Sequence, residues 1–336
     1  MGGYDINKAE SDIMNTIINI GILTYPGVLN SALHGLGEIF EVTNRIRSEY
    51  LEASWPKLEW SYWAAEADHS SHPLASRSFS NSGQILDIIV IPPRILEKEL
   101  NLIEPSCSNW LRTQHESGAV LASACAGAFL LAQAGVLNGR RATTHWGLAD
   151  ELKRRFPEII MCEEELLIDD GDIITAGGMM AWTDLVLRLV ERFAGPFLAM
   201  KLSKYFLIDT GHRDQRYYQS FVPKYAHGDR DILVIQQWLQ THFTEAVSVK
   251  KLAEENNLTE RTLQRRFAKA TGLAPSVYIT QLRLQKSREL LETSQITIDE
   301  IVWKVGYEDQ SSFRKLFKTH VGLTPSEYRK RFLIKE

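Results

Sequence analysis

The C-terminal third of the chain contains one pattern twice, and this internal repeat limits what the segment can fold into. An offset of 50 pairs Leu263 with Phe313, Phe267 with Phe317, Gly272 with Gly322, Leu273 with Leu323, Pro275 with Pro325, Ser276 with Ser326, and Tyr278 with Tyr328. Upstream the offset becomes 49, pairing Leu252 with Ile301 and Ala253 with Val302. A segment that repeats at a fixed period is built from copies of one supersecondary unit. The one-residue difference predicts a turn of unequal length between the two helices of each copy.

The second helix of each copy is predicted to have two different faces. In the first copy Thr259 can cap this helix, and Leu263 and Phe267 share a face at a spacing of four residues. In the second copy Phe313 and Phe317 form the corresponding apolar pair. The opposite faces carry Arg261, Gln264 and Arg265 in the first copy, and Gln310, Ser311, Arg314 and Lys315 in the second.

These polar faces suggest contact with DNA. Arg, Gln and Lys side chains can bond base edges and phosphates in a major groove, which is wide enough to admit a helix. Exposed Arg and Gln on a single helix usually mean only solvation. Two copies with the same apolar pattern and basic exposed faces favour two helix-turn-helix units that read DNA.

Length and charge agree with a separate basic module. A chain of 336 residues exceeds one typical core, so two domains are expected. Residues 229–336 hold 18 Lys and Arg against 14 Asp and Glu, which leaves 20 against 28 for the acidic remainder. Three cysteines without CxxC spacing indicate reduced thiols rather than a zinc site. With no apolar membrane span and no signal core, we expect a cytoplasmic protein.

The C-terminal segment resembles the AraC family of transcription regulators. The stretches VGYEDQSSFRKLFK and GLTPSEYR are the specific parts of that signature, and the match covers residues 232–332. The resemblance implies that a long helix, residues 275–292, joins two units that enter successive major grooves. It also implies double-stranded promoter DNA at an operator as partner, a homodimer or monomers at paired sites, and RNA polymerase as a further candidate partner.

The N-terminal half alternates short apolar runs with helical stretches. That order predicts an α/β domain, a three-layer, flavodoxin-like fold around a mostly parallel sheet. The domain boundaries are predicted at 15–197 for the α/β domain, 198–229 for a connecting helix and linker, and 230–335 for the all-α DNA-binding domain. The predicted strands are residues 17–24, 87–91, 120–124, 141–144 and 173–176, and the helices 31–46, 96–116, 148–156 and 181–193.

Cys125 follows a predicted strand and precedes a helix, the arrangement of a nucleophile elbow. A helix N-terminus lowers a thiol pKa, so some thiolate is expected. The runs SACAGAFLLAQAGVLNGRRATTHW and ITAGGMMAWTDLVLRLVE resemble the PfpI-like domain of the class I glutamine amidotransferase-like superfamily, and more closely its GlxA-like subfamily. Active PfpI-like hydrolases have His directly after the cysteine, where this chain has Ala126, and an acid where it has Ala32. We therefore expect no catalysis; the alternative is a cysteine hydrolase tethered to a DNA-binding domain.

The α/β domain is instead expected to sense a small molecule. Ligands of doubly wound sheets bind beyond the carboxyl ends of the strands, where Cys125, His145 and Gly177 should gather. Cys125 could also be a buried small hydrophobe or a redox-sensitive thiol, and His145 a packed side chain bonded to backbone. His69 and His72 have a spacing that could bind a metal, but a solvated loop is favoured. No metal or cofactor is expected.

Overall fold

Short apolar runs form a parallel sheet in the N-terminal part of the chain. The computed structural model describes residues 16–50, 55–64, 76–79, 83–95, 105–209 and 214–334. The central strands are wholly buried, as expected where helices cover both faces of a sheet. Strands β1 to β9 are Ile17–Leu23, Lys57–Ala64, Ser76–Ser78, Ile88–Ile91, Val120–Ala124, Arg141–Ala142, Ile160–Met161, Leu167–Asp169 and Ile173–Ala176.

The strand order in the main sheet is β3-β2-β1-β4-β5-β9-β8. All neighbouring strands in it run parallel except β8, which pairs antiparallel with β9. β6 and β7 form a separate two-stranded sheet. The order reverses between β1 and β4, so a crevice is expected at the carboxyl ends of these strands.

Six helices are described in this part of the chain, and together with the sheet they enclose one apolar core. Both faces of the sheet are covered, which gives the three-layer, mostly parallel fold predicted from the sequence. Helices α1 to α6 are Asn30–Tyr50, Pro105–Glu116, Ala128–Gln133, Ala149–Arg155, Trp182–Ala194 and Pro196–Phe206.

The individual strands agree with the sequence prediction in different degrees. The predicted strands at 120–124 and 173–176 are confirmed to the residue. The prediction for 141–144 is wrong in part, because only Arg141 and Ala142 are extended and they lie outside the main sheet. Strands β2, β3, β7 and β8 were not predicted. Of the predicted helix 96–116, the structure describes Pro105–Glu116, and residues 96–104 lie outside the described part.

The chain divides into two compact units, one ending at Gln215 and the other beginning at Arg216. The second unit is helical throughout its regular elements, as predicted. No helix among the described residues of either unit is long and apolar enough to cross a membrane. Helices α7 to α13 are Arg230–His242, Val249–Glu255, Glu260–Thr271, Pro275–Thr293, Ile298–Lys304, Gln310–Val321 and Pro325–Phe332.

Arg140, Asp170, Asp172 and His115 form an ionic cluster in the first unit. Arg140 lies just before residues 143–145, so the cluster fixes the chain there. Arg140 donates to the Asp170 carboxylate and to the Asp172 carboxylate, each at 2.6 Å. The second oxygen of Asp172 lies 2.6 Å from Nε2 of His115 at the end of α2. The hydrogen bond from Arg140, with a smaller contribution from His115, lowers the pKa of Asp172 to about 2.

This cluster should make the first unit sensitive to acid. Because the pKa of Asp172 is lower in the folded chain than its unfolded value of about 3.9, its stabilising effect is present above about pH 4 and is lost as the pH falls toward about 2. We expect Asp172→Asn to lower the free energy of unfolding at pH 7 and to flatten its decline below pH 4. Urea unfolding of D172N and of Glu116→Gln, an exposed carboxylate control, measures this. Identical pH profiles for D172N and wild type would contradict it.

Candidate functional site

The two copies of the repeat form two helix-turn-helix units with the same internal geometry. The first copy contains α8 and α9, and the second contains α11 and α12. Both bounds of α9 and α12 differ by 50 residues, and both bounds of α8 and α11 differ by 49. The extra residue lies in the turn, which spans residues 256–259 in the first copy and 305–309 in the second. The predicted unequal turn is therefore confirmed.

The paired apolar residues play the same role in both copies. Leu263 and Phe267 are fully buried in the core of the first, and Phe313 and Phe317 in the core of the second. The edge of the Tyr278 ring packs on Phe267, and Tyr328 does the same on Phe317, with interplanar angles of 83° and 85°. The repeat is thus a repeat of packing as well as of sequence.

Local chemistry defines where the second helix of each copy begins and ends. The Thr259 side chain accepts from the Thr262 N–H at 3.2 Å, and Asp309 accepts from the Ser312 N–H at 2.8 Å. Hydrogen bonds from the Ser312 hydroxyl and from the N–H groups of Ser312 and Ser311 lower the pKa of Asp309. Gly272 and Gly322 follow the last turns in left-handed backbone with φ of 82°, which favours glycine. The predicted cap at Thr259 and both predicted terminal glycines are confirmed.

The polar face of α9 is exposed to solvent. Arg261, Gln264 and Arg265 are exposed, and Gln264 donates to Glu260 at 3.3 Å. The neighbouring Arg266 behaves differently, since it donates to Asp229 and Asp231 at 2.6 and 2.9 Å and so ties α9 to the start of α7. Arg265 forms no such ion pair within the part of the chain that the structure describes.

The polar face of α12 has the same character. Ser311, Arg314 and Lys315 are exposed, whereas Gln310 is only partly so. Arg314 donates to Asp299 on α11 at 3.2 Å, an exposed pair that costs little to break. The seven side chains that we predict to contact DNA therefore lie on two corresponding helices of one unit, three on α9 and four on α12. Their contact with DNA stays a prediction.

The two copies are tied together through the end of α7. Arg283 on α10 donates to the carbonyl oxygens of Phe243 and Glu245, at 2.7 and 2.8 Å, and its guanidinium lies 5.0 Å from the centre of the Tyr307 ring. Gly306, in the turn of the second copy, has a φ of 82°, and a Cβ there would lie 2.2 Å from the Thr244 carbonyl oxygen. Gly306 therefore permits a close approach of two backbones.

In the first unit, Cys125 stands at the carboxyl end of β5. Its φ of 54° is the left-handed backbone of a sharp strand-to-helix turn, so the predicted elbow is confirmed. The prediction of a lowered thiol pKa is wrong. Cys125 is fully buried, and burial raises its pKa to about 11, opposed only in part by the Ala126 N–H. A single 3₁₀ turn separates Cys125 from α3, which has six residues, so the helix end stabilises a thiolate too weakly.

The other two predicted pocket residues lie near this strand end. Gly177 directly follows β9, whose last residue, Ala176, pairs with Ala124 before Cys125. His145 is half-buried beside Trp146, and its Nδ1 accepts from the Gly147 N–H at 3.0 Å. Partial burial lowers its pKa. This is the packed, backbone-bonded alternative for His145. The hydroxyl of Thr144, one residue earlier, donates to the Cys125 carbonyl at 2.8 Å.

Gln215 is the residue here that sequence reasoning missed. Its side chain is buried and accepts from the N–H groups of Trp146 and Gly178, at 3.1 and 3.4 Å. A Cβ on Gly177 would lie 2.2 Å from its Nε2 atom, which explains a glycine at that position. Gln215 lies in a polar stretch that the sequence indicates as linker, and no local signal marks it.

The three cysteines all lie in the described part of the chain. Cys107, Cys125 and Cys162 are all free thiols. Among the residues described, no group of three or more His, Cys, Asp or Glu side chains could hold a metal ion. His69 and His72 lie outside the described residues.

Both units match known proteins. A model of the helix-turn-helix domain matches residues 252–331, and a model of the DJ-1/PfpI family matches residues 75–192. The HTH-type transcriptional regulator CdhR of Pseudomonas aeruginosa is 30% identical over 231 residues, 68% of this chain and 68% of that protein. The regulator ArgR of the same organism is 30% identical over 233 residues, 68% and 69% of the two chains. The regulator GlxA of Rhizobium meliloti is 27% identical over 224 residues, 66% and 68%.

Substitutions on the two faces of α9 should have different effects, one on DNA binding and the other on stability. Arg265→Ala should weaken specific DNA binding by about 1 to 3 kcal/mol with little loss of stability, because the side chain is exposed. Leu263→Ala should lower the free energy of unfolding by about 2 to 5 kcal/mol, because it leaves a cavity in a small core. Thermal unfolding and titration with a cognate fragment measure both. Arg230→Ala, on α7, is the charge-matched control, and equal stability losses in R265A and L263A would refute the assignment of faces.

Gly306→Ala tests the backbone contact between the two copies, and Gly272→Ala is its matched control. Both glycines have a φ of 82°, but a Cβ at Gly272 meets nothing within 4 Å, whereas one at Gly306 overlaps the Thr244 backbone. The left-handed conformation alone costs about 1 to 2 kcal/mol, so G272A should lose that much. G306A should lose more stability and also lose DNA affinity. Chemical denaturation of the two variants decides this, and equal losses would exclude a role for Thr244.

Proposed function

Because this chain belongs to the AraC-type HTH transcriptional regulators that carry a DJ-1/PfpI domain, we propose that it regulates promoters through base and phosphate contacts from α9 and α12. The observation that carries this proposal is the repetition of an exposed basic face on two helices whose opposite faces fill two equivalent cores. A chance solvated face would not repeat with a capping side chain at the corresponding position and a buried apolar pair at the same spacing. The proposed contacts are Arg261, Gln264, Arg265, Gln310, Ser311, Arg314 and Lys315.

The first unit is proposed to sense a small molecule near the carboxyl ends of β5 and β9, and the regulator to act as a homodimer at paired sites. Cys125, His145 and Gly177 are the proposed markers of this region. Ligands of doubly wound sheets bind beyond the carboxyl ends of the strands, and β5 is the neighbour of β4, where the strand order reverses. Activation with RNA polymerase and repression are the two outcomes that we propose as alternatives at a promoter.

The alternative function, a cysteine hydrolase, has less support from the surroundings of Cys125. A thiol with a pKa of about 11 is almost wholly protonated near neutral pH, and a protonated thiol is a poor nucleophile. Ala32 and Ala126 occupy the positions where active relatives of the fold are expected to carry an acid and a base, and both are buried. We propose that the elbow is kept for its shape.

DNA binding should be strongly salt dependent. Sequencing of DNA recovered with the full-length protein would supply the operator, and fluorescence anisotropy on that fragment would give affinity against salt. Lys315→Ala should reduce the slope of log affinity against log salt by about 1 if Lys315 contacts a phosphate. Lys286→Ala removes an exposed lysine paired with Glu289 on α10 and should leave the slope unchanged. A wild-type affinity that does not change with salt would refute the proposal.

Cys125→Ser separates the two classes of function. For a sensor, we expect operator binding by the effector-free protein to survive the change. For a hydrolase, turnover of peptide, amide or ester substrates would be present in wild type and vanish in C125S. Multiple-turnover assays on both proteins give the answer. Turnover that depends on Cys125 would reinstate the enzyme, and we expect none in either protein.

A further inference from the structure

The Gln215 carboxamide is enclosed by polar groups, with two donors at its oxygen and four acceptors around its nitrogen. Its oxygen accepts two backbone N–H groups, those of Trp146 and Gly178. Its nitrogen lies 2.9, 3.2 and 3.0 Å from the carbonyl oxygens of Thr144, Glu163 and Glu165, and 3.0 Å from the Thr143 hydroxyl. The side chain is 2% exposed, so water contributes little to these bonds. We call this set of groups the amide cage.

Hydrogen bonds that do not involve Gln215 hold the walls of the amide cage. The Thr143 N–H donates to the Thr175 hydroxyl at 2.9 Å, and the Thr143 hydroxyl donates to the Glu165 carbonyl at 2.8 Å. The Thr144 hydroxyl is bound to the Cys125 carbonyl, and the Gly177 N–H to the Leu166 carbonyl at 2.7 Å. Because these bonds do not use Gln215, we expect the cage to remain in place when Gln215 leaves it. A site already formed loses little free energy to reorganisation when a ligand enters.

The chemistry of the amide cage selects one class of group. Two donors face one oxygen, and several acceptors face one nitrogen. A primary carboxamide has one acceptor oxygen and two N–H donors in a plane, which matches this arrangement. A carboxylate of the same shape has no hydrogen to offer the carbonyl oxygens, so those buried acceptors would lose their partner. A hydroxyl has only one hydrogen.

We infer that the amide cage is a binding site for a primary carboxamide, that Gln215 occupies it as an internal ligand, and that an effector carrying this group competes with Gln215. The inference rests on the sensing function proposed above and names the chemical class of the effector. Two further bonds hold the Gln215 segment: its backbone N–H donates to the Glu164 carbonyl at 3.0 Å, and Asp214 bridges to Glu165.

The effect of releasing Gln215 would be transmitted to the DNA-binding unit through the covalent chain. Arg216, the next residue, begins the second unit, in which Arg288 donates to the Arg216 carbonyl and Arg216 donates to the Thr319 carbonyl, both at 3.1 Å. Thr319 belongs to α12. Because the residues are consecutive, an effector that frees Gln215 changes how the chain entering the second unit is held.

Propionamide and propionate test the inference on the full-length protein. Gln215→Ala empties the amide cage, so we expect calorimetric titration to show propionamide binding to Q215A at least about tenfold more tightly than to wild type, where Gln215 competes. Propionate should bind neither protein. Gln114→Ala, which removes another buried glutamine bonded to backbone in the same unit, is the control and should show wild-type affinity. Equal affinities of Q215A and wild type, or equal binding of propionate, would overturn the inference.

Two further measurements keep the test decisive. Should Q215A not fold, Gln215→Glu retains length and loses the N–H donors, and it should bind propionamide as Q215A does. In wild type, a large excess of propionamide should speed hydrogen exchange at the Gln215 backbone N–H, while propionate should not; unchanged exchange would count against the inference. Operator binding by Q215A is measured in a separate experiment. If it persists without amide binding, the amide cage is refuted and the regulator stands.

Discussion

One helix, α10, belongs to both cores of the second unit, and the arrangement of the two helix-turn-helix units depends on it. Tyr278, Ile279 and Leu282 complete the first core, and Leu284 and Leu291 complete the second. The cores contain ten and nine buried side chains, sizes at which a domain rarely folds alone. Because an α-helix rises about 1.5 Å per residue, the position of each side chain along α10 sets the separation of the cores. Arg283, between the two sets, bonds the end of α7 and covers Tyr307, which limits rotation of one copy against the other.

Much of this architecture could be predicted from the sequence because it depends on local patterns. A cap such as Thr259, a terminal glycine such as Gly272 and apolar pairs spaced by four residues act within one helix. Strands β5 and β9 are short, largely apolar runs, and both were predicted to the residue. Strand β2 was missed although polar and apolar residues alternate along the first part of KLEWSYWA, a local pattern typical of a strand. Gln215 was missed because its role depends on partners 37 to 72 residues away in sequence.

The carboxyl ends of β5 and β9 show how a fold can keep its shape while its chemistry changes. The elbow at Cys125 retains left-handed backbone, yet the thiol is enclosed, and the cost of burying a charge exceeds what one N–H and a short helix return. Nearby, the groups that line this region are satisfied by Gln215 from the chain itself. Helix-end arguments from sequence predicted the geometry correctly and the ionisation wrongly, because burial cannot be read from the local motif.

Because the polar and apolar faces of α9 are separate, the polar face of such a regulator can change in evolution without loss of the apolar packing. Leu263 and Phe267 hold the fold, and Arg266 holds the start of α7, whereas Arg261, Gln264 and Arg265 contribute little to either. Under the contacts that we propose, substitutions at these three positions would alter the preferred operator while the stability of the chain stays above its threshold. On α12 the same freedom holds, because the exposed Arg314–Asp299 pair costs little to break. Under the contacts that we propose, selection could therefore retune both halves of an operator without rebuilding either core.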